Sequence, residues 1–166
     1  MKKIVVLIYC LCLFSLIGCS YPSYKTYYTD VNKYEEIWSL TGSLLEYDEE
    51  KSLFPEKIEN LETEEFFCRY DEQIPLGEGI QILLKLNFSN SEKFEAEIER
   101  IKDRAFMCQE YFGDFDLIAY ATKLNDDNCE YVLINTNNQT INYIYLQQVR
   151  REEIEINENL LPNNYE

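Results

Sequence analysis

The chain contains no histidine among its 166 residues. Histidine is the commonest general base, the usual partner of serine and cysteine nucleophiles, and a frequent zinc ligand. Glycine and proline are also scarce, at 5 and 4 residues. The stretch Gly77-Glu78-Gly79 is too short for a nucleotide-binding fingerprint and is typical of a turn, and no phosphate-binding loop is present. No catalytic, cofactor-binding or metal-binding residue is therefore predicted.

Basic residues are also scarce. The chain has 15 basic and 31 acidic residues, which gives a net charge of −16. A field of that sign repels phosphate backbones, so nucleic acid is excluded as a partner. The acids are spread along the chain, which indicates a solvated acidic surface. No calcium-loop spacing is present, since residues 125–128 (NDDN) lack the alternating ligands and the closing glutamate. We interpret them as a turn.

Long hydrophobic runs are absent except at the N-terminus, where Ile4 to Ile17 carry no charge. These fourteen residues are too few for a membrane-spanning helix, which needs about 20. They follow Lys2 and Lys3 and end at the small residue Gly18, which is the pattern of a cleaved signal peptide.

The cleavage region Leu16-Ile17-Gly18-Cys19 resembles the lipobox of bacterial lipoproteins, in which a diacylglycerol is attached to the cysteine and the chain is cut before it. The resemblance implies a signal peptide over residues 1–18 and acyl chains such as palmitate on Cys19. It also implies the membrane as a partner, with the protein on its extracytoplasmic face, where two or more acyl chains give stable anchoring. A plain secretory signal or a short membrane segment are the alternatives.

The residues after the signal peptide have the length of one domain. Removing residues 1–18 takes away Lys2 and Lys3 but no acid, so the formal charge changes from −16 to −18. Residues 19–29 show no hydrophobic period and are predicted to be a tether. Residues 30–166 are predicted to form a single domain.

Two helices and five strands are predicted within that domain. Asp30 is a plausible cap for a first helix ending at Gly42, and residues 89–92 (SNSE) have the form of a capping box for a second. Period-two alternation predicts strands; they lie around Phe66–Tyr70 and Ile80–Phe88, and then at Phe115–Leu124, Cys129–Asn135 and Thr140–Val149. We expect an α+β domain with a roughly five-stranded antiparallel sheet packed with two helices.

Four stretches of this domain resemble a group of small uncharacterised lipoproteins of Gram-positive anaerobes. They are LFPEKI (53–58), the strand and helix of residues 79–102, EYVLINTNNQTINYIYLQ (130–147) and LLPNNY (160–165). The group has no assigned activity, so the resemblance implies no catalytic residue.

Three cysteines remain after Cys19, at positions 68, 108 and 129. An odd number cannot pair fully within one chain, and the sequence does not choose among the three possible disulfides. The alternative is that all three stay reduced as small buried hydrophobes.

Tyrosine is abundant in the last two strands, and the alternation groups Tyr131, Tyr143 and Tyr145 as a tyrosine face. Two interpretations stay open. The face is covered by the first helix and residues 43–61, or it is an exposed platform that binds a surface glycan or peptide.

These features favour a lipid-anchored, non-enzymatic interaction or envelope module. The alternative is a small envelope hydrolase that acts on glycan or peptidoglycan with two carboxylates. Glu78 and Asp116, each beside a glycine, are its candidate acids. A solute-binding receptor generally needs two lobes, and this chain has room for one.

Overall fold

A computed structural model describes residues 23–42, 52–58, 62–73, 77–121, 128–149 and 153–161. The predicted signal peptide, Cys19 and residues 125–127 lie outside these ranges. None of the helices in the described ranges combines the length and the apolar composition that a membrane crossing requires.

The described chain forms seven strands and two α-helices. The strands are β1 (Ser23–Tyr28), β2 (Glu62–Gln73), β3 (Gly77–Asn87), β4 (Met107–Phe112), β5 (Phe115–Tyr120), β6 (Asn128–Asn135) and β7 (Thr140–Gln147). The helices are α1 (Tyr34–Gly42) and α2 (Ser91–Arg104), with single 3-10 turns at Val31–Lys33 and Glu158–Leu160.

All seven strands belong to one antiparallel sheet in the order β1-β2-β3-β7-β6-β5-β4. The helix α2 carries the chain from the central strand β3 to the edge strand β4, and the meander β4 to β7 then returns to β3. The α+β class and the antiparallel sheet are confirmed, but the prediction of five strands is wrong.

The two strands that the sequence did not indicate are the two edges of the sheet. Residues 23–28, predicted as part of the tether, form β1 and pair with β2 over their whole length, so the sheet begins before the predicted domain start at residue 30. Edge strands bury little surface; Tyr24 is 61% exposed and the described side chains of β4 are exposed. Without a buried face, neither segment has the alternation that reveals a strand.

Both predicted helices are confirmed, and each begins at a side-chain cap. The Asp30 carboxylate accepts a hydrogen bond from the Asn32 amide and opens the 3-10 turn that continues into α1. The cap of α2 is Asn90, whose side chain accepts from the Lys93 amide. Such caps satisfy backbone N–H groups that lack partners within the helix.

The sheet buries both of its faces. The helix face is the one covered by α1, residues 52–58 and α2. The strap face is the opposite one, and it is partly covered by residues 153–161, which we call the strap. Both helices therefore lie on the helix face.

Candidate functional site

The three predicted binding tyrosines do not form an open platform. Tyr131, Tyr143 and Tyr145 are at most 1% exposed. Tyr143 and Tyr145 lie on the helix face, while Tyr131 lies on the strap face. The register explains the split, because Tyr143 is opposite Val132 and Tyr131 is opposite Ile144. The alternation within one strand shows which of its own side chains share a face. It does not show which side chains of the neighbouring strand lie on that same face.

The covered interpretation is therefore correct for Tyr143 and Tyr145. The ring of Tyr143 packs 5.5 Å from that of Phe54, and Tyr145 meets Trp38 of α1 edge-on at 6.3 Å. The Tyr143 hydroxyl donates to Glu97 Oε1 at 2.6 Å. Burial and the neighbouring Glu97 charge raise the pKa of Tyr143 well above its usual value. These rings are core side chains with satisfied polar ends.

Glu130 is a buried carboxyl on the helix face, only 2% exposed. Its Oε1 accepts from Ser52 Oγ at 2.9 Å, from the Leu53 amide at 2.5 Å and from the Phe54 amide at 3.3 Å. Burial raises the pKa of Glu130 to about 8, against the lowering effect of the two amide donors. Its role is to hold residues 52–54 against the sheet.

The candidate acids of the hydrolase do not come together. The side chain of Glu78 lies outside the described part of the structure. Asp116 accepts hydrogen bonds from both the amide and the hydroxyl of Thr136, each at 2.6 Å, and these bonds lower its pKa. A carboxylate held in this way stabilises a turn and is a poor proton donor.

The cysteines are free thiols, so no disulfide joins them. Cys68 is buried on the helix face and Cys129 on the strap face. Burial raises the pKa of both thiols to about 12. Cys108, on the edge strand β4, is exposed, so the expectation that all three are buried is wrong for this residue.

A half-open groove of about 410 Å³ lies on the strap face, beside the strap. Its size falls in the range of small-molecule sites. Its walls are mainly amide, hydroxyl and charged side chains over a partly apolar floor; the lining residues are Glu65, Phe67, Leu83, Lys85, Asp114, Phe115, Asn135, Asn138, Thr140, Asn142, Glu155, Ile156, Asn157 and Leu160.

Asn142 is the most unusual residue of the groove. It lies on β7 between Lys85 of β3 and Leu133 of β6, at the centre of the sheet. It is only 3% exposed, and its side-chain amide makes no hydrogen bond with any other described residue. None of its polar atoms is among the fully buried side-chain atoms without a partner, so the amide is accessible from the groove. A ligand in the groove could therefore bind to it directly.

One wall of the groove is fixed by a buried arginine. Arg69 forms an ion pair with Asp71 and a second with Glu155 at 2.9 Å, and it also donates to the Glu153 carbonyl at 2.5 Å. The Gln81 amide holds the same segment, since it donates to the Glu153 carbonyl at 3.0 Å and accepts from the Glu155 amide at 2.9 Å. The strap is thus attached to β2 and β3 where it borders the groove.

Sequence reasoning did not find this groove, although one signal was present. Asn142 interrupts the run TINYIYLQ, whose neighbouring positions are apolar or aromatic. A lone asparagine in the middle of a buried strand is unfavourable unless something binds it. The other lining residues come from five strands, two turns and the strap, and their proximity follows only from the folded topology.

Comparison of the chain with protein-family models, with curated proteins and with solved structures finds no match. Within the described residues, no group of cysteine and acidic side chains is arranged to hold a metal ion. The lipobox and the resemblance to small lipoproteins stay predictions from the sequence.

Proposed function

We propose that the protein is a lipid-anchored, non-enzymatic binding module on the extracytoplasmic face of the cell membrane. The anchor is the acylated Cys19. Only four positions separate Cys19 from Ser23, the first residue of β1. Even a fully extended chain spans at most about 14 Å over that distance. The edge of the sheet at β1 therefore stays close to the membrane.

The observation that carries the binding role is Asn142 in the strap-face groove. The residue is only 3% exposed, and its amide makes no hydrogen bond with another described residue. The amide borders the groove, where a ligand can take the place of water as its hydrogen-bond partner. A polar side chain at the centre of a buried sheet, without a partner in the protein, is expected where it contacts a ligand.

The carboxylate hydrolase finds less support. Glu130 has a pKa suited to donating a proton near neutral pH, but it lies 2% exposed beneath residues 52–54. Asp116 is held by Thr136. A general acid must reach the leaving group of its substrate, and the buried Glu130 does not. Asp116 is partly exposed, but its hydrogen bonds from Thr136 lower its pKa and so disfavour the protonated form that a general acid needs.

The anchor is tested by mass spectrometry of the protein extracted from membranes. We expect an N-terminal peptide that begins at Cys19 and carries acyl chains, and we expect Cys19→Ala to leave the protein unprocessed or released from the membrane. A chain that retains residues 1–18, or an unmodified Cys19, would contradict the anchor.

The binding role is tested by co-sedimentation of the purified full-length protein with delipidated cell envelope. We expect the wild-type protein to sediment and Asn142→Leu to remain in the supernatant. Lys102→Ala serves as the control, because Lys102 lines a different hollow, of about 330 Å³, on the helix face. Equal sedimentation of all three proteins would rule out the groove as the binding site.

A further inference from the structure

Building on the proposed binding function, we propose that the strap-face groove binds a neutral, hydroxyl-rich ligand, namely a carbohydrate chain. The ligand class follows from the side-chain amides in and beside the groove, the signs of the charges around it, and its position on the face of the sheet.

Two side-chain amides in and beside the groove can bind a ligand. Asn142 lines the groove and has no hydrogen bond to any described residue. Asn87, two residues after Lys85 on the same side of β3, has an Oδ1 without a partner. Asn87 is paired in the sheet with Thr140, which lines the groove.

An amide offers two donors and an acceptor with two lone pairs, and a hydroxyl both donates and accepts. A sugar hydroxyl can therefore bind to either end of the Asn142 amide. An aliphatic ligand would leave the amide unsatisfied, which would oppose binding. Lys85 and Asn142 are direct neighbours across β3 and β7, and such neighbours have Cβ atoms about 5 Å apart. Together they present donors and an acceptor to adjacent groups of one ligand.

The charges around the groove exclude an anion. Glu65, Asp114 and Glu155 line it, against a single lysine. That lysine, Lys85, forms an ion pair with Glu64 at 2.9 Å. Glu155 is also paired, with Arg69. A phosphate or carboxylate ligand would therefore meet the carboxylates of Glu65 and Asp114 and, among the described lining residues, only a lysine that is already neutralised. Neutral hydroxyls, by contrast, donate hydrogen bonds to carboxylates.

The position of the groove argues against an extended peptide. Peptides that bind to sheets usually add a strand at an edge, where main-chain groups are unpaired. The groove instead lies over β3 and β7, each of which is paired on both sides within the sheet. Recognition here must come from side chains. A sugar, which is bound through side-chain hydrogen bonds and apolar contact with its C–H groups, fits this arrangement.

The apolar part of the groove completes the fit. Phe67 and Phe115 are partly exposed and lie over the strap-face core. Aromatic rings offer a rigid apolar surface at low entropic cost, so they suit the C–H face of a sugar ring. The groove therefore combines an apolar contact surface with hydroxyl-binding amides.

The test uses the full-length protein in a detergent without a sugar head group. It is titrated with three neutral oligosaccharides, cellotetraose, maltotetraose and the tetramer of N-acetylglucosamine, and with hexaglycine as the peptide probe. Binding is followed by saturation-transfer NMR and calorimetry. We expect at least one oligosaccharide to bind saturably with a dissociation constant of about 1 mM or tighter, and hexaglycine to show no binding.

Two groove variants and one control locate the site. We expect Asn142→Leu and Lys85→Met each to weaken oligosaccharide binding at least tenfold, while Lys102→Ala leaves it unchanged. Having two groove variants keeps the test decisive if one of them fails to fold. Oligosaccharide binding that both variants retain would overturn the proposal, as would binding of hexaglycine alone.

The envelope assay separates this proposal from the proposed function. If carbohydrate is the ligand, periodate oxidation of the envelope abolishes co-sedimentation of the wild-type protein and protease treatment does not. The opposite result, with Asn142 still required, refutes the carbohydrate and leaves the binding module standing. Loss of any dependence on Asn142 refutes the binding role of the groove itself.

Discussion

Glu130 on the helix face and Asn142 on the strap face are both buried polar side chains on neighbouring central strands. Three donors from residues 52–54 surround the Glu130 carboxylate, and the segment that supplies them is packed into the core. Asn142 has no partner among the described residues and lies at the floor of an open groove. Similar burial therefore accompanies opposite hydrogen-bonding environments, and the proposed binding role of Asn142 depends on this contrast.

The two faces of the sheet also differ in how completely they are covered. Two helices and residues 52–58 cover the helix face, with contacts along its length. The strap covers only part of the other face, through Ile156 and Leu161, and leaves the groove beside it. A short irregular segment cannot hide a whole sheet face, so the fold leaves room for a ligand where the strap ends.

The largest expected effect comes from truncating a ring on the helix face. Tyr143→Ala should destabilise the protein by about 3–5 kcal/mol, as large aromatic deletions in a core do. Tyr24→Ala, at an exposed position of β1, should change stability by less than about 0.5 kcal/mol. Urea unfolding measures both variants. Similar midpoints for the two would show that the helix face is not the covered core described above.

Breaking the attachment of the strap is expected to cost slightly less. Arg69→Met removes the ion pairs to Asp71 and Glu155 and leaves Asp71 as an uncompensated buried charge, which should cost about 3 kcal/mol. Adding Asp71→Asn should recover part of that loss, because it removes the unpaired charge.

Thiol labelling shows which face is affected by the Arg69 substitution. In the wild-type protein Cys108 should react at once, while Cys68 and Cys129 react only on unfolding. In Arg69→Met, Cys129 on the strap face should become reactive before Cys68 on the helix face. Simultaneous exposure of both would mean that the two faces do not open independently.

A moderate, pH-dependent effect is expected for Glu130. Its pKa is raised to about 8 by burial, so above a pH of about 4.5 the unfolded chain has lost a proton that the folded protein keeps. Unfolding then releases a proton, and the stability falls as the pH rises from about 4.5 to 8, by at most about 1.4 kcal/mol per pH unit. The stability difference between wild type and Glu130→Gln, measured by urea unfolding at several pH values, should shift in favour of the variant over this window. A constant difference would exclude a proton-retaining Glu130.

The smallest effect on stability is expected at Asn142. Asn142→Leu should lie within about 1 kcal/mol of the wild type, or above it, because the amide makes no hydrogen bond with another described residue and leucine has a similar volume. Thermal and urea unfolding measure the change. A loss of several kcal/mol would show that the amide has a structural partner in the free protein, and the contrast with Glu130 would disappear.

Much of the secondary structure follows from the sequence, because its causes are local. Asp30 and Asn90 can cap a helix from their own side chains, and the alternation from Ile80 to Phe88 reflects the apolar side chains that this strand places on the helix face. The edge strands β1 and β4 were not predicted, because they bury few side chains and so lack an alternating pattern. They are strands because they pair with a neighbouring strand.

The sequence alone determined the α+β class, the helices and the central strands, since each depends on residues close together in the chain. The lipobox at Cys19 stays a prediction of the same local kind. Only the tertiary structure decided which side chains share a face. Side chains alternate between the two faces along each strand, but the register between neighbouring strands decides which of their side chains lie on the same face. Here the register of β6 and β7 places Tyr131 and Tyr143 on opposite faces. The tertiary structure also decided that Asn142 borders a groove and that Glu130 accepts hydrogen bonds from residues 52–54, because these surroundings come from segments distant in sequence.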